Sequence, residues 1–529
     1  MAEDDRSAEI NYPAWTDYRK KNGLDPLGMQ NSSVSLYQTF LPGISNVTLR
    51  MRYYGLYAWL CRTFAKKDGD TNPESWKRFI RRAEALYALI AYRHGSEAGV
   101  AGIEWAQKVL DSADSEIVEF AAAAEPGSET YYLKQAWGAY GAAYRSQLFV
   151  IGIFDKSETH DLPIPSLEIG DRLAAVFEDS IGEAAAHFYD VIQRGMVTKA
   201  ELDRLHGLTP SEIGLTGEER ALYQDILLKP NEPSDPDAQS RRRSVLLILK
   251  IAGLLGRDPK PDEVRWTLFA GCDQKGRPLA LGSPELEAQR QLWWVYHAND
   301  LCHIALETLL KFILDTLGEH PAGITLARLI PLCVDRILKA PEHAPVGWTA
   351  FLNSREPAAN AYAADDADSE WSLCEDIIKR AGRSDERVCA PETAWSAIRL
   401  LAILHKRIRD EDRNIASVLG GFDPDAFRSL LTETRFLDLH ADEPFSDMLM
   451  RLLEERVVQR HLWVALQKLR QGDYTFLIER DEGRLRLREK DGPVFTNPRL
   501  GPAITFLKDI HLVGGQGLSD YGAAAVSAS

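Results

Sequence analysis

Residues 38–60 read Gln38-Thr-Phe-Leu-Pro-Gly-Ile-Ser-Asn-Val-Thr-Leu-Arg-Met-Arg-Tyr-Tyr-Gly-Leu-Tyr-Ala-Trp-Leu60. A Pro42-Gly43 turn and the cap candidates Ser45 and Asn46 lead into a helix expected over 47–65. Within about three turns that helix carries Arg50, Arg52 and the rings of Tyr53, Tyr54, Tyr57 and Trp59. Two readings fit. The stretch offers guanidinium and aromatic surface to phosphates or bases, or it closes a domain with its arginines snorkelling out of the core.

Helical periodicity continues along the chain. Further helices are expected at 75–93, 102–123, 131–152, 168–194, 216–228, 241–256, 285–317, 324–339, 370–381, 392–415, 424–434, 443–471 and 499–510. The β signal is late: Tyr474–Glu479 and Leu485–Arg488 flank Asp481-Glu482-Gly483 as a hairpin. The expected fold class is therefore mainly α, a multi-domain helical protein with a small C-terminal hairpin. The Pro- and acid-rich run 229–243 and the Ala/Pro-rich stretch 341–369 read as linkers. They divide an N-terminal helical domain (1–228), a central one (244–340) and a C-terminal one (370–529).

At 529 residues, 45% hydrophobic and 26% charged, the chain has material for several cores. A formal charge of -16 excludes a wholly basic nucleic-acid coat but leaves room for local basic faces. From Arg50 to Arg93 ten Lys or Arg stand against four acids, and from Arg451 to Ile510 twelve stand against nine. A solvated helix face balanced by acids nearby in space is the alternative.

The six cysteines are scattered with no Cys-x-x-Cys pair, which argues against a disulfide framework or a zinc site. The opening Met-Ala-Glu-Asp-Asp is wrong for a signal peptide, and the apolar run 244–256 is too short to span a bilayer. A cytoplasmic protein with no membrane partner is expected.

Nucleotide-binding and hydrolase signatures are missing: there is no Gly-x-x-x-x-Gly-Lys-Ser/Thr, Gly-x-Ser-x-Gly or His-Glu-x-x-His. Arg456-Val-Val-Gln-Arg-His461 has the Arg-x4-His spacing that sets a general acid/base beside a phosphate-binding guanidinium, as in helical ribonucleases of the HEPN class. Arg399 with His405 and Arg290 with His297 match similarly, but about three such matches arise by chance in a chain of this composition. Asp300, His303 and Glu307 share one helix face, as a metal half-site or as a buried hydrogen-bonded cluster. No second Glu-x-x-His completes it, so no metal or cofactor is assigned.

Two segments, Leu148–Ile153 leading to Gly170 and Ile504–Val513 leading to Gly514-Gly515 and Leu518-Ser519-Asp520-Tyr521-Gly522, resemble the third helix and wing of winged-helix domains. The run Phe40-Leu-Pro-Gly43, Thr48-x-Arg50-x-Arg52-Tyr53 and Trp59 resembles the N-terminus of uncharacterised bacterial proteins of phage-defence and DNA-modification gene clusters. Those share a Phe-Pro-Gly turn, and here Leu41 is inserted. The resemblance implies a defence-associated role and protein partners from the same operon.

The leading expectation is a non-catalytic nucleic-acid-engaging or scaffolding subunit of an anti-phage system, with DNA favoured over RNA. Arg50, Arg52, Arg78, Arg81 and Arg82 would contact or steer phosphates, and Arg499 and Lys508 would form a second contact. The alternatives are a metal-independent ribonuclease using Arg456 and His461, and a pure protein scaffold.

Overall fold

The Pro284–Gly318 helix is the axis on which the chain is built. Ser283 caps it by accepting the Leu286 N–H at 3.3 Å, Pro284 occupies its first turn, and Glu285 and Glu287 complement its positive end. Its 35 residues span about 52 Å. From Trp293 to Leu317 every side chain is buried, the helix being packed on all sides. Around it pack the Gln30–Gln38, Pro236–Leu255, Pro261–Ala270, Leu326–Leu338, Glu370–Ala381, Pro391–Asp410 and Leu430–Leu439 helices and the Arg484–Leu487 strand. This computed structural model describes residues 25–528 apart from 96, 113–114, 126, 231–233, 385, 411–414 and 424–426.

The chain is mainly α, as expected. Its strands are short and form antiparallel pairs only: Ile117–Glu119 with Met196–Thr198, Phe154–Lys156 with Pro163–Pro165, Ile478–Asp481 with Arg484–Leu487, and Val513–Gly514 with Gly517–Leu518. The late hairpin turns on Glu482 (φ 47°) and Gly483 (φ 79°), the two left-handed positions of a tight hairpin turn. Among the described residues no helix is long and apolar enough to cross a membrane, and all six cysteines are free thiols.

Several boundaries differ from the periodicity, each for a local reason. The expected 102–123 helix stops at Ser112, and Ile117–Glu119 instead pairs with Met196–Thr198; residues 113–114 lie outside the described ones. Over 131–137 the backbone is not helical. Arg81 takes the carbonyl oxygens of Leu133 and Gln135, and the buried Glu84 carboxylate accepts the N–H groups of Ala139 (2.8 Å) and Tyr140 (2.7 Å). Helix begins only at Gly138 and passes through a π turn at Tyr140–Tyr144 into Arg145–Val150. The 168–194 helix breaks at Gly182, which adopts φ 55°.

Residues 236–243, expected as linker, are the first two turns of the Pro236–Leu255 helix, capped by Asp235 with Pro236 at N1. The expected 424–434 helix starts later, at Leu430 behind the Ser429 cap; its first three residues lie outside the described ones, as do 411–414 of the expected 392–415 helix. The expected 443–471 helix runs from Phe445 to Arg470 through a π segment at Leu452–Val458.

The Arg52–Lys67 helix is buried along nearly all of its length against the Gly170–Ile181 helix. Gly55 marks the closest approach, where a Cβ would lie 2.2 Å from the Tyr223 hydroxyl and 2.9 Å from Phe177. The Val513–Gly514/Gly517–Leu518 hairpin is seated on the C-terminal end of the Pro236–Leu255 helix: a Cβ on Gly517 would come within 2.8 Å of the Ala252 carbonyl oxygen.

Candidate functional site

The arginines expected to face phosphates are mostly spent inside the fold. Arg52 is 1% exposed. Its guanidinium grips Glu219 bidentately at 3.0 and 3.1 Å and donates to the carbonyls of Gly207 and Thr209, each at 2.6 Å. Burial works against its charge, but Glu219 more than offsets this and holds the pKa above the ordinary arginine value. Arg50, also buried, reaches both Asp509 oxygens at 3.1 Å and Glu97 at 2.7 Å, while the Met51 N–H donates to Asp509 at 3.0 Å. It pins the opening motif to the Leu500–Asp509 helix. Arg81 donates to the backbone carbonyls of Ala124, Gln135 and Leu133, under the Tyr132 ring.

The expectation that Arg50, Arg52 and Arg81 contact a ligand is therefore corrected. A guanidinium whose donors are satisfied by buried carboxylates and carbonyls has neither access nor capacity for a phosphate. Arg82 is half-buried against Glu125 (4.0 Å) and the Gln193 carbonyl (3.3 Å). Arg499, half-buried at φ 67°, sits 5.8 Å from the Tyr37 ring centroid and donates to the Leu41 carbonyl at 3.4 Å. Arg78 and Lys508 do reach solvent, paired with Glu125 (3.2 Å) and Asp258 (2.7 Å).

The ribonuclease constellation is also corrected. Arg456 is bound to Glu433 through two hydrogen bonds, one of 2.8 Å, and lies over Phe436. The fully buried His461 has both ring nitrogens engaged: Nδ1 meets the Pro26 carbonyl at 3.2 Å and Nε2 accepts the Leu477 N–H at 3.0 Å. That network fixes a neutral ring with its proton on Nδ1. Burial pushes its pKa down to about 4. His405 is held by Trp348 (3.2 Å) and Asp438 (3.1 Å), and His297 is buried among Trp266, Phe269 and Phe495. None of the three places an imidazole beside a free guanidinium.

The Asp300/His303/Glu307 face is fully buried and gains a member from far away in sequence. Asp300 accepts from Arg265 (3.1 Å) and from the Thr496 N–H (3.2 Å) and hydroxyl (2.9 Å). His303 lies between the two carboxylates, its Nδ1 3.5 Å from Asp300 and its Nε2 2.8 Å from Glu307. Asp25, just ahead of the Gln30–Gln38 helix, brings its carboxylate to within 4.8 Å of His303 and Glu307. One Asp25 oxygen accepts the N–H groups of Met29 (2.9 Å) and Gln30 (3.2 Å). Asp25 was not a candidate on sequence; the only signal was the turn pattern Asp25-Pro26-Leu27-Gly28.

The stretch 459–488 carries both exposed rings and cations. On the Gln459–Arg470 helix Trp463 is 41% exposed, and after the helix Tyr474 is 46% exposed. The Arg488 guanidinium lies 3.9 Å from the Tyr474 centroid, and that of Arg460, itself buried and donating to the Leu27 carbonyl at 2.9 Å, lies 4.4 Å from the Trp463 centroid. Arg486 and Arg488 pair with Asp481 and Glu479, whereas the exposed Arg470, Arg480 and Arg484 pair with no carboxylate among the described residues. In comparisons with known proteins, no protein-family model, curated protein or solved structure matches the chain.

Proposed function

We propose that the chain is a non-catalytic, nucleic-acid-engaging subunit of a bacterial anti-phage defence system, binding single strands through the surface around Trp463 and Tyr474. The observation that carries this reading is two exposed rings, each with a guanidinium on its face, in one stretch of chain that also presents Arg470, Arg480 and Arg484 to solvent. Stacking on exposed rings within a cationic field engages any base and tracks a backbone without reading sequence. This surface falls in the basic 451–510 segment, and the resemblance of the Phe40–Trp59 run to proteins of defence clusters supports the setting. In this reading that run is a fold signature, and its arginines contribute to folding.

The test is fluorescence anisotropy of labelled single-stranded DNA, with RNA and duplex DNA as competitors, at two salt concentrations. Affinity is expected to fall as salt rises, and the nucleic acid to remain intact. Trp463→Ala and Tyr474→Ala should each weaken binding by roughly 5- to 150-fold, the equivalent of about 1–3 kcal/mol per stacked base. Absence of binding, or binding untouched by both substitutions in folded protein, overturns the reading and directs attention to a protein partner.

A further inference from the structure

We propose that Asp25, His303 and Glu307 bind a first-row divalent transition-metal ion, with Zn²⁺ the best fit, tying the N-terminal segment to the middle of the central helix. Three side-chain ligand atoms, one nitrogen and two carboxylate oxygens, lie within 4.8 Å of one another, and all three residues are buried. Such a mixed set suits Zn²⁺ or Mn²⁺, whereas Ca²⁺ takes six to eight oxygen ligands and Mg²⁺ an octahedron rich in water.

Two further observations point to a ligand. Both Glu307 oxygens and Asp25 Oδ2 are buried without a hydrogen-bond donor. The approach of His303 Nε2 to Glu307 at 2.8 Å is an ion-pair distance that lacks hydrogen-bond geometry. Buried carboxylate oxygens left in that state are costly, and one cation between them satisfies Asp25 and Glu307 together.

The second observation is the shell behind the histidine. His303 turns Nδ1 toward Asp300 at 3.5 Å, an ion-pair distance that lacks hydrogen-bond geometry, and Asp300 is itself anchored by Arg265 and Thr496. A carboxylate behind one ring nitrogen orients an imidazole to ligate through the other. The freed nitrogen, Nε2, is the one that faces Glu307 and the Gln30 side-chain amide, at 3.4 Å. With its amide turned over, Gln30 offers an oxygen beside His303 as a further ligand. The helical spacing of His303 and Glu307 supplies half of the site, and the turn at Asp25 closes it.

The experiment uses the full chain, stripped with a chelator and dialysed, then titrated with ZnCl₂ and separately MnCl₂ against a chromophoric competitor. One equivalent per chain is expected above what Glu307→Gln and Asp25→Asn proteins take up. Affinity in either variant should drop at least about 10- to 100-fold, the range seen when even an outer partner is lost. Zn²⁺ should raise the thermal midpoint of the wild type and leave that of Glu307→Gln unmoved. If Glu307→Gln does not fold, judged by near-UV circular dichroism, Asp25→Asn carries the comparison. Wild-type protein that takes up neither ion overturns the proposal, as does equal uptake at equal affinity by a folded variant.

Discussion

Arg52 and Arg78 stand 26 positions apart in one basic segment and do opposite work. Arg52 holds Glu219 and two carbonyls in the core, so Arg52→Ala leaves a buried carboxylate unpaired and should cost about 3–5 kcal/mol in chemical denaturation. Arg78 meets Glu125 in solvent, and Arg78→Ala should cost about 1 kcal/mol or less. The residue types were legible in the sequence, but the partners were not. Glu219 and Asp509 lie 167 and 459 residues from their arginines, and no local pattern announces them. His461 gives a pH test. Its folded pKa is about 4 against about 6.5 unfolded, so the unfolded chain binds more protons between those values. The stabilisation is fully present above about pH 6.5 and is lost as pH falls toward 4. Denaturation at pH 7 and pH 5 should show about 2 kcal/mol more loss in the wild type than in His461→Gln.

At the scale of elements, the sequence was readable where an element answers to its own periodicity. The central helix, the Pro73–Arg93 and Glu370–Ala381 helices and the late hairpin all lie within a few residues of where apolar spacing and turn residues put them. The pattern misled where a distant side chain claims the backbone. Residues 131–137 look helical, yet Arg81 takes the Leu133 and Gln135 carbonyls, and Glu84 accepts the N–H groups of Ala139 and Tyr140 where the helix does begin. Gly55 shows the same competition inside the Arg52–Lys67 helix, which starts five residues later than the expected 47–65 helix and without the Ser45 or Asn46 cap. Propensity alone favours alanine there by about 1 kcal/mol. A Cβ would strike the Tyr223 hydroxyl, which Glu219 holds at 3.2 Å, and overpacking of this kind costs about 1–3 kcal/mol. Gly55→Ala should therefore lower the thermal midpoint, against the sign that propensity assigns.

Across the whole molecule, buried arginines fasten regions that are remote in sequence. Arg50 joins the opening motif to Asp509, Arg241 donates to the Pro42 carbonyl at 3.1 Å, and Arg265 ties Asp300 to the Thr496 carbonyl. The candidate cation site belongs to this pattern, since it fastens Asp25 to the central helix. Half of that site, His303 and Glu307, could be read from helical spacing; Asp25, 278 residues before His303, could not. The same holds for the proposed binding surface, whose basic segment was visible although the exposure of Trp463 and Tyr474 was not. The central claim is that nucleic acid is engaged there, away from the arginine-rich opening motif. Hydrogen–deuterium exchange of the intact chain, with and without a saturating single-stranded oligonucleotide, tests it most directly. Protection is predicted in peptides covering 459–488; protection confined to 50–93, or binding that protects neither segment, would contradict it.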